Sequence, residues 1–468
     1  MKLLYIGAGF VGACSGAMMA DSGHKVLIYD VDSHRIKMLD SGDRDTIQMC
    51  LAEDGLGEMI VRNKERLHFT DDYSKIIPFL DEAEAIFMCL PTPEKLNSEE
   101  ESDLTYYYAA TEKIAASMVS RCKNSQENYI VIINKSTVSI ALINETEEIL
   151  KKKGVKNFGV VSNPEFLVEG KAIEGTVRPD RVVVGAWKEN DFKIVRKIYQ
   201  RFYSAPNVEY IEINPLEAAA GKLLANFILF NKLAVTFDVV GRVCENFPGI
   251  SFENIRRALI SDSRIGRWGF YDSVYAGGSC FIKDAASLAH QLEEAGAESN
   301  LIRGTLAANN FQRDHFLSRA EKELGISYKN LTVAMLGVAF KRDTNDIRNS
   351  PAIDITKHLI EKGVREIKVY DPAALPMFQG VFDQSKNKQY SVINYCKNEE
   401  AALKDSNICL ILADWPQFRS LGEKITKTCP APYVIMDGRR IIQHQYEKLA
   451  KRGYSIIAVG SPTIKTTL

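Results

Sequence analysis

The sequence lacks the features that mark several functional classes. Its nine cysteines include no CxxC and no closely spaced set, which argues against a structural zinc site and for reduced thiols in a cytoplasmic protein. No metal is expected. Basic residues are not in excess: 59 Lys and Arg stand against 60 Asp and Glu, a formal net charge of −1. No global field therefore draws the chain to nucleic acid or to an anionic membrane. The segment Met1-Lys2-Leu3-Leu4-Tyr5-Ile6 is apolar but reaches Gly7 too soon for a signal peptide. No apolar run is expected to approach the roughly 18–20 residues of a membrane span. What remains is a chain of ordinary globular composition whose 468 residues predict two or three domains, because single cores rarely exceed about 250–300 residues.

The first positive signal is an apolar run, Leu3–Ile6, followed by Gly7-Ala8-Gly9-Phe10-Val11-Gly12 and a helical stretch that Gly23 ends. A second strand, Lys25–Tyr29, runs into Asp30. Strand, glycine turn, helix, strand and acid form the dinucleotide fingerprint. The glycines let the backbone turn tightly and approach a pyrophosphate, and the acid accepts from a ribose 2′-hydroxyl. Asp30 favours NAD over NADP, with the cation of Arg35 nearby.

The α/β rhythm then continues. Strands are expected at Ala85–Cys89, Tyr129–Ile133 and Val160–Ser162, each opening into a polar loop: Leu90-Pro91-Thr92-Pro93, Asn134-Lys135-Ser136-Thr137 and Asn163-Pro164-Glu165-Phe166-Leu167. Ligands bind beyond the carboxyl ends of strands in an open α/β sheet, so loops at these places are candidate site elements. The acidic segment Glu94–Ser102 reads as an exposed loop. From Leu216 to Phe247 the chain is apolar nearly all round, which predicts a long buried helix. Lys222 and Asn226 lie four apart on it and so share a face.

A second α/β unit begins with the strand Asn330–Leu336 and Gly337-Val338-Ala339-Phe340-Lys341. A helix over Ala352–Lys362 and strands at Ile367–Tyr370, Ile408–Leu412 and Tyr433–Met436 follow. Between the two units stands Gly277-Gly278-Ser279-Cys280-Phe281-Ile282-Lys283-Asp284. Glycines permit close approach to a ligand. A nearby cation or base can activate the thiol as a nucleophile, although a lone cysteine is more often a small buried residue.

With these motifs the chain resembles the nucleotide-sugar 6-dehydrogenases, the UDP-glucose/GDP-mannose dehydrogenase family. The resemblance covers essentially the whole length. Beyond the motifs above it rests on Lys135-Ser136-Thr137-Val138, Glu169-Gly170, Pro179-Asp180-Arg181, Arg264-Ile265-Gly266, Asp343-Thr344 with Asp346, Arg348-Asn349-Ser350-Pro351 and Asp437-Gly438-Arg439. It implies two Rossmann-like doubly wound α/β domains joined by a long central helix. The expected limits are 1–214 for NAD, 215–325 for the central helical part with the cysteine, and 326–468 for the nucleotide sugar.

The implied reaction is a four-electron oxidation of the C6 hydroxyl of UDP-glucose to the carboxylate, with two NAD⁺ consumed. The same resemblance implies the roles. Lys222 and a water held by Asp284 take the hydroxyl proton, Asn226 with Lys222 stabilises oxyanions, and Cys280 carries a thiohemiacetal and then a thioester. Glu165 serves as acid/base in hydrolysis with Thr137 beside it. Gly7, Gly9, Phe10, Val11, Gly12, Asp30, Arg35, Thr92, Ser136, Thr137, Glu169, Lys283 and Arg348 are implied for NAD. Glu165, Phe166, Leu167, Lys222, Asn226, Arg264, Gly277, Lys341 and Arg439 are implied for the sugar nucleotide. A homodimer is also implied, with Arg439 as the arginine reaching a neighbouring site and Arg440 as the alternative.

The sequence departs from the family pattern in places. Tyr275-Ala276 stand before Gly277 where Gly-Phe is usual, Ser139-Ile140-Ala141 where Pro-Val-Gly is usual, and Gly175 where an aspartate is frequent. These bear on the substrate more than on the reaction. The competing readings are the same chemistry on GDP-mannose or another UDP-hexose, and a silent nucleotide-binding protein that keeps the fold.

Overall fold

Strands covered on both faces read as continuous apolar runs, and such runs form the middle of both sheets. The structure, a computed structural model, describes residues 1–95, 98–122, 129–137, 139–177, 179–203, 208–271 and 273–466. It divides into two units, Met1–Ala225 with His290–Ala295, and Asn226–Ala289 with Gly296–Leu468.

In the first unit an eight-stranded sheet has the order Glu209–Ile213, Arg181–Gly185, Phe158–Ser162, Ile130–Asn134, Ala85–Met88, Lys2–Ile6, Lys25–Tyr29, Leu67–Thr70. Its pairs are parallel except for a single antiparallel contact, Ser162 with Gly185. Alternate residues of Lys2–Ile6 feed two cores. Leu3 and Tyr5 pack with Ala13, Ile28 and Phe87, and Leu4 and Ile6 with Tyr29, Tyr107 and Ile114. The strand ends Ile6, Met88, Asn134 and Ser162 lie in register, so the loops that follow them share one edge of the sheet. Glu94–Ser102 is not a plain loop. Glu94–Lys95 and Ser98–Ser102 pair antiparallel, and Lys95 forms an ion pair with Glu101; the opposite charge makes a ribbon of an otherwise polar segment.

In the second unit the six-stranded sheet is wholly parallel, in the order Ile393–Tyr395, Glu366–Tyr370, Thr332–Leu336, Ile408–Ile411, Tyr433–Asp437, Tyr454–Ala458. The helix Pro351–Glu361 starts with Pro351 in its first turn, and the Ser350 hydroxyl accepts from Ala352 N at 3.3 Å. Asp371 ends Glu366–Tyr370 as Asp30 ends Lys25–Tyr29. Its carboxylate accepts from Val338 N, Ala339 N, Ala373 N, Ala374 N and the Trp415 indole. The second acid is thereby consumed by the fold.

The apolar stretch after Asn214 is one continuous helix, Pro215–Asn246, of 32 residues, widening to i→i+5 turns over Val235–Val240. Its most apolar 18 residues have a mean hydropathy of 1.6 and meet the length and composition of a membrane span, against the expectation that no apolar run does; half of that stretch is buried inside the protein. Glu245 near its end belongs to a buried ion cluster around Arg319. Arg319 is 2 % exposed and reaches Glu245 (3.2 Å), Glu323 (2.8 Å) and the carbonyls of Ala458 (2.7 Å) and Ser461 (2.9 Å). It pins the last strand and the tail behind it.

Removing one partner of such a cluster strands the others in low dielectric. Arg319→Met is therefore expected to lower unfolding stability by about 3–5 kcal/mol, read by denaturant titration. Burial pushes the Glu245 carboxyl up, but the hydrogen bond from His315 and the charges of Arg319 and Arg242 outweigh it and hold it below the usual 4.5. A depressed folded value contributes stability above the unfolded value, and that contribution is lost as pH falls through the folded one. The wild-type protein should thus destabilise in acid below about pH 4.5, with a smaller slope in Arg319→Met.

Candidate active site

In the first unit the glycine turn is forced by close packing. Gly7 has φ +106°, and a Cβ there would stand 2.2 Å from the Cys89 carbonyl oxygen; one at Gly12 would stand 1.9 Å from the Gly7 oxygen. A Cβ at Gly9 would meet nothing within 4 Å. Gly9 is also the residue before helix Phe10–Asp21, and no side chain caps it. An open side above a 12-residue helix with uncapped N–H groups fits a pyrophosphate. Asp30 is buried, accepting from Ala8 N at 2.6 Å and Asp32 N at 2.9 Å. Arg35 is held between Asp30 and Asp32, at 3.3 Å from each.

The loops at the strand ends clamp one another. Ser136 Oγ donates to the Leu90 carbonyl (2.8 Å) and accepts from Leu90 N (2.9 Å), while Thr92 donates to the Thr137 carbonyl at 3.0 Å. Val138 of that segment lies outside the described residues. Glu165 accepts from Leu167 N at 2.5 Å and lies 3.4 Å from the Lys222 ammonium. Lys222 is 5 % exposed, so the apolar helix buries it instead of letting it snorkel. Phe166 keeps it in place: its ring stands between Lys222, at 5.1 Å, and Arg181, at 3.9 Å from the centroid.

Sequence reasoning missed the residue that anchors the far end of this loop. Glu53 is fully buried and accepts from Gly170 N (2.9 Å) and Ile173 N (3.1 Å), next to Glu169. Burial pushes its carboxyl up, against the pull of those N–H groups. More than a hundred residues separate the partners, and Glu53, followed by Asp54 and Gly55, carries no local signal of its burial.

In the second unit Asp284 is completely buried, with its two oxygens held at 2.6 Å by Asn226 Nδ2 and 2.6 Å by the Lys283 ammonium. It lies in the first turn of helix Phe281–Glu294, and its N–H donates to the Cys280 carbonyl at 2.8 Å. Cys280 thus stands at a helix N-terminus, where the helix dipole favours negative charge. Among the described cysteines it alone is exposed.

The glycines before it are needed. A Cβ at Gly277 would lie 2.3 Å from the Asn349 oxygen, and one at Gly278, whose φ is +94°, 2.9 Å from the Phe340 ring. The cysteine stretch is in this way locked to the Phe340-Lys341 and Arg348-Asn349 segments, with Gly278 N donating to the Arg348 carbonyl at 3.0 Å. Tyr275 is buried, its ring 5.4 Å from the Arg313 guanidinium and its hydroxyl 3.3 Å from Asn310 Oδ1. Asn309 holds both backbone groups of Ala276.

Arg439 borders a cavity of about 360 Å³ that Arg256, Arg267, Phe270, Tyr271 and Asp414 also line. Its guanidinium is engaged within its own chain, with Ser273 Oγ (2.8 Å) and Asp414 (3.0 Å). Arg440 is buried against the carbonyls of Val459 and Gly460. Arg264 stands apart, its side chain 87 % exposed and paired only with Asp262 among its described ion pairs. Arg348 is paired with Asp346 at 2.6 Å and otherwise largely exposed.

Three family models match the chain in succession. These are the NAD-binding domain of the UDP-glucose/GDP-mannose dehydrogenase family over residues 1–203, its central domain over 216–311 and its UDP-binding domain over 334–444. The chain is 33 % identical to the UDP-glucose 6-dehydrogenase TuaD of Bacillus subtilis, over all of this chain and 94 % of that one. It is 32 % identical to the UDP-glucose 6-dehydrogenase of Rickettsia felis, over 98 % and 96 %. The solved UDP-glucose dehydrogenase of Pyrobaculum islandicum is 26 % identical and superposes with a TM-score of 0.84, covering 98 % of each chain.

Proposed function

Since the chain belongs to the UDP-glucose/GDP-mannose dehydrogenase family, an NAD-dependent oxidoreductase of nucleotide sugars, we propose that its substrate is UDP-glucose and that Cys280 carries the reaction to UDP-glucuronate. The observation that supports this reading best is Cys280 itself, exposed at the head of the helix whose first turn carries Asp284. An enzyme that stopped at the aldehyde would need no such thiol.

Two NAD⁺, bound in turn at the same site, would supply the hydride acceptors, one for each oxidation. Lys222 and a water held by Asp284 take the C6 hydroxyl proton in the first. The Cys280 sulfur then adds to the aldehyde carbon, and Asn226 with Lys222 donates to the resulting oxyanion. Loss of a second hydride leaves a thioester. Water adds to it with Glu165 as acid/base beside Thr137, the C–S bond breaks, and the sulfur leaves as thiolate. Phe166, Leu167, Arg264, Gly277, Lys341 and Arg439 hold the sugar nucleotide. Thr92, Ser136, Glu169, Lys283 and Arg348 join the glycine turn, Asp30 and Arg35 on the cofactor. The domain limits 1–214, 215–325 and 326–468 belong to this proposal.

The test is NADH formation across a panel of nucleotide sugars, counting NADH per substrate. Two per UDP-glucose, with GDP-mannose and other UDP-hexoses poor, is the expected result. A better rate with GDP-mannose would overturn the substrate. Arg35, held by two aspartates, is not placed to receive a 2′-phosphate, and Asp30 would repel one. The kcat/KM ratio should therefore favour NAD⁺ over NADP⁺ by about tenfold or more; equal values would refute the assignment of Asp30.

A homodimer completes the proposal. Ile228, Val235, Val239 and Val243 are exposed along one helix at spacings of four and seven, with Phe247 exposed just past its end, an apolar stripe that a second copy would cover. Arg264, exposed to solvent, is better suited to reach a neighbour than Arg439 or Arg440. Light scattering that returned a monomer at working concentrations would refute the dimer.

A further inference from the structure

Lys135 takes no part in the chemistry above, yet it is a lysine buried to 6 % exposure at the end of strand Ile130–Asn134. Lysine is almost never buried this far without a counter-charge. Here its ammonium touches only neutral oxygens: the Asn163 carbonyl (3.2 Å), Asn163 Oδ1 (3.0 Å) and the Tyr199 hydroxyl (3.3 Å). Among the described residues no carboxylate comes within ion-pair distance of it.

The groups facing this ammonium come from every neighbouring element. Cys89 follows strand Ala85–Met88, Tyr199 belongs to helix Glu189–Tyr203, and Tyr5, which faces Cys89 and Tyr199, to strand Lys2–Ile6. Burial pushes the Cys89 thiol up to about 12 and raises both phenols, so these three stay neutral. Glu165, itself beside Lys222, is the remaining group of opposite charge. Burial pulls the Lys135 ammonium down, and with the thiol neutral it is the Glu165 charge that acts against that pull.

Asn163 couples the lysine to Glu165 mechanically as well. Its N–H donates to the Asn134 carbonyl (2.9 Å), its Nδ2 to the Val183 carbonyl (2.8 Å), and its Oδ1 accepts from Tyr199 (2.5 Å). With both oxygens also taken by Lys135, Asn163 has one orientation. Pro164 restricts the backbone that follows, and Glu165 is the next residue.

We propose that Lys135 is a positioning residue for Glu165. It fixes Asn163, and so the Pro164-Glu165 turn, and sets a buried positive charge facing the Glu165 carboxylate across a low-dielectric interior. The inference rests on the reading of Glu165 as acid/base in thioester hydrolysis. A purely structural lysine would affect stability alone, so its replacement would move Tm and leave burst, kcat and pH profile as they are.

The test uses full-length enzyme with NAD⁺ and UDP-glucose. It compares wild type, Lys135→Met, Lys135→Arg and Glu165→Gln by rapid NADH burst, steady-state kcat, pH profile, intact mass and Tm. Lys135→Met should keep a burst within about threefold of wild type while kcat falls about tenfold or more. An adduct on Cys280 should accumulate, and the acid limb of kcat should move to higher pH because a positive neighbour is gone. Lys135→Arg, which restores the charge with other geometry, should return the acid limb and only part of the rate. Wild-type kcat and pH profile in Lys135→Met, whatever its Tm, would overturn the proposal; so would burst and turnover falling in equal proportion. Should Lys135→Met not fold, Asn163→Asp sets a counter-charge on the ammonium at nearly constant volume. It carries the same expectation, and an unchanged pH profile there is equally fatal. If Glu165→Gln hydrolyses the thioester at the wild-type rate, the reading of Glu165 fails. If it accumulates adduct and Lys135→Met does not, only the role of Lys135 fails.

Discussion

Cys280→Ala is expected to abolish four-electron turnover, lowering the rate of carboxylate formation by on the order of 10³-fold or more, while binding of NAD⁺ and UDP-glucose survives. On the proposed assignments other residues hold both ligands. The glycine turn, Asp30 and Arg35 hold one another, and the cavity beside Arg439 is lined by other residues. Without the thiol no bond can form to the aldehyde carbon, so no more than one NADH per sugar should appear. Cys280→Ser is the finer probe. Alkoxide leaves far less readily than thiolate, so this variant should stall as an oxygen ester or stop near the aldehyde, with any retained sugar visible by intact mass. Neither change should cost much stability, since the residue is exposed. Near wild-type production of two NADH by Cys280→Ala would sink the covalent mechanism and return Cys280 to a small residue in a glycine turn.

Much of this was legible in the sequence because the informative residues are bound to local geometry. A strand that must be covered on both faces has to be apolar, so the central strands Ala85–Met88, Ile130–Asn134, Thr332–Leu336 and Ile408–Ile411 declare themselves. Gly7, Gly12 and Gly278 are glycine because a Cβ would collide with backbone or ring, and such constraints survive as motifs. The peripheral strands were not read. Leu67–Thr70 and Ile393–Tyr395 are edges of four and three residues, too short for a period to emerge, and in Glu209–Ile213 the acids Glu209 and Glu212 stand three apart and break the strand period. Tyr454–Ala458 is fully covered but is held there by contacts far away in sequence, among them the Arg319 cluster.

The site divides along the same line. Lys222 with Asn226 follows from helix period, and Asp284 from its place after Cys280. Glu53 under Gly170 and Lys135 under Asn163 act across long sequence separations, and no local pattern announces such a partnership. The second sheet carries a further lesson. Its strand–turn–helix–strand–acid layout repeats the first, yet Asp371 spends both oxygens on backbone and indole donors. A layout can therefore recur without its ligand.

Asp284→Asn should show the second-largest loss, on the order of 10²–10⁴-fold in kcat, and at a different step. The carboxylate is fully buried, with one oxygen 2.6 Å from Asn226 Nδ2 and the other 2.6 Å from the Lys283 ammonium. An amide of the same size keeps one acceptor but turns an NH₂ toward one of those donors, so either Asn226 or Lys283 loses its contact. It also removes the negative charge that orients the water proposed to take the C6 hydroxyl proton. The first oxidation should then become limiting. NADH should appear without a burst, no adduct should accumulate on Cys280, and the isotope effect on kcat with UDP-glucose deuterated at C6 should be larger in the variant than in wild type. Cys280→Ala, by contrast, should release its single NADH readily. Because Asn226 and Lys283 both lean on this carboxylate, the Tm of Asp284→Asn must be measured alongside, and the kinetics read well below it. A normal first-NADH rate with a stalled second oxidation would assign Asp284 to the thiol half of the reaction, against the role given to it here.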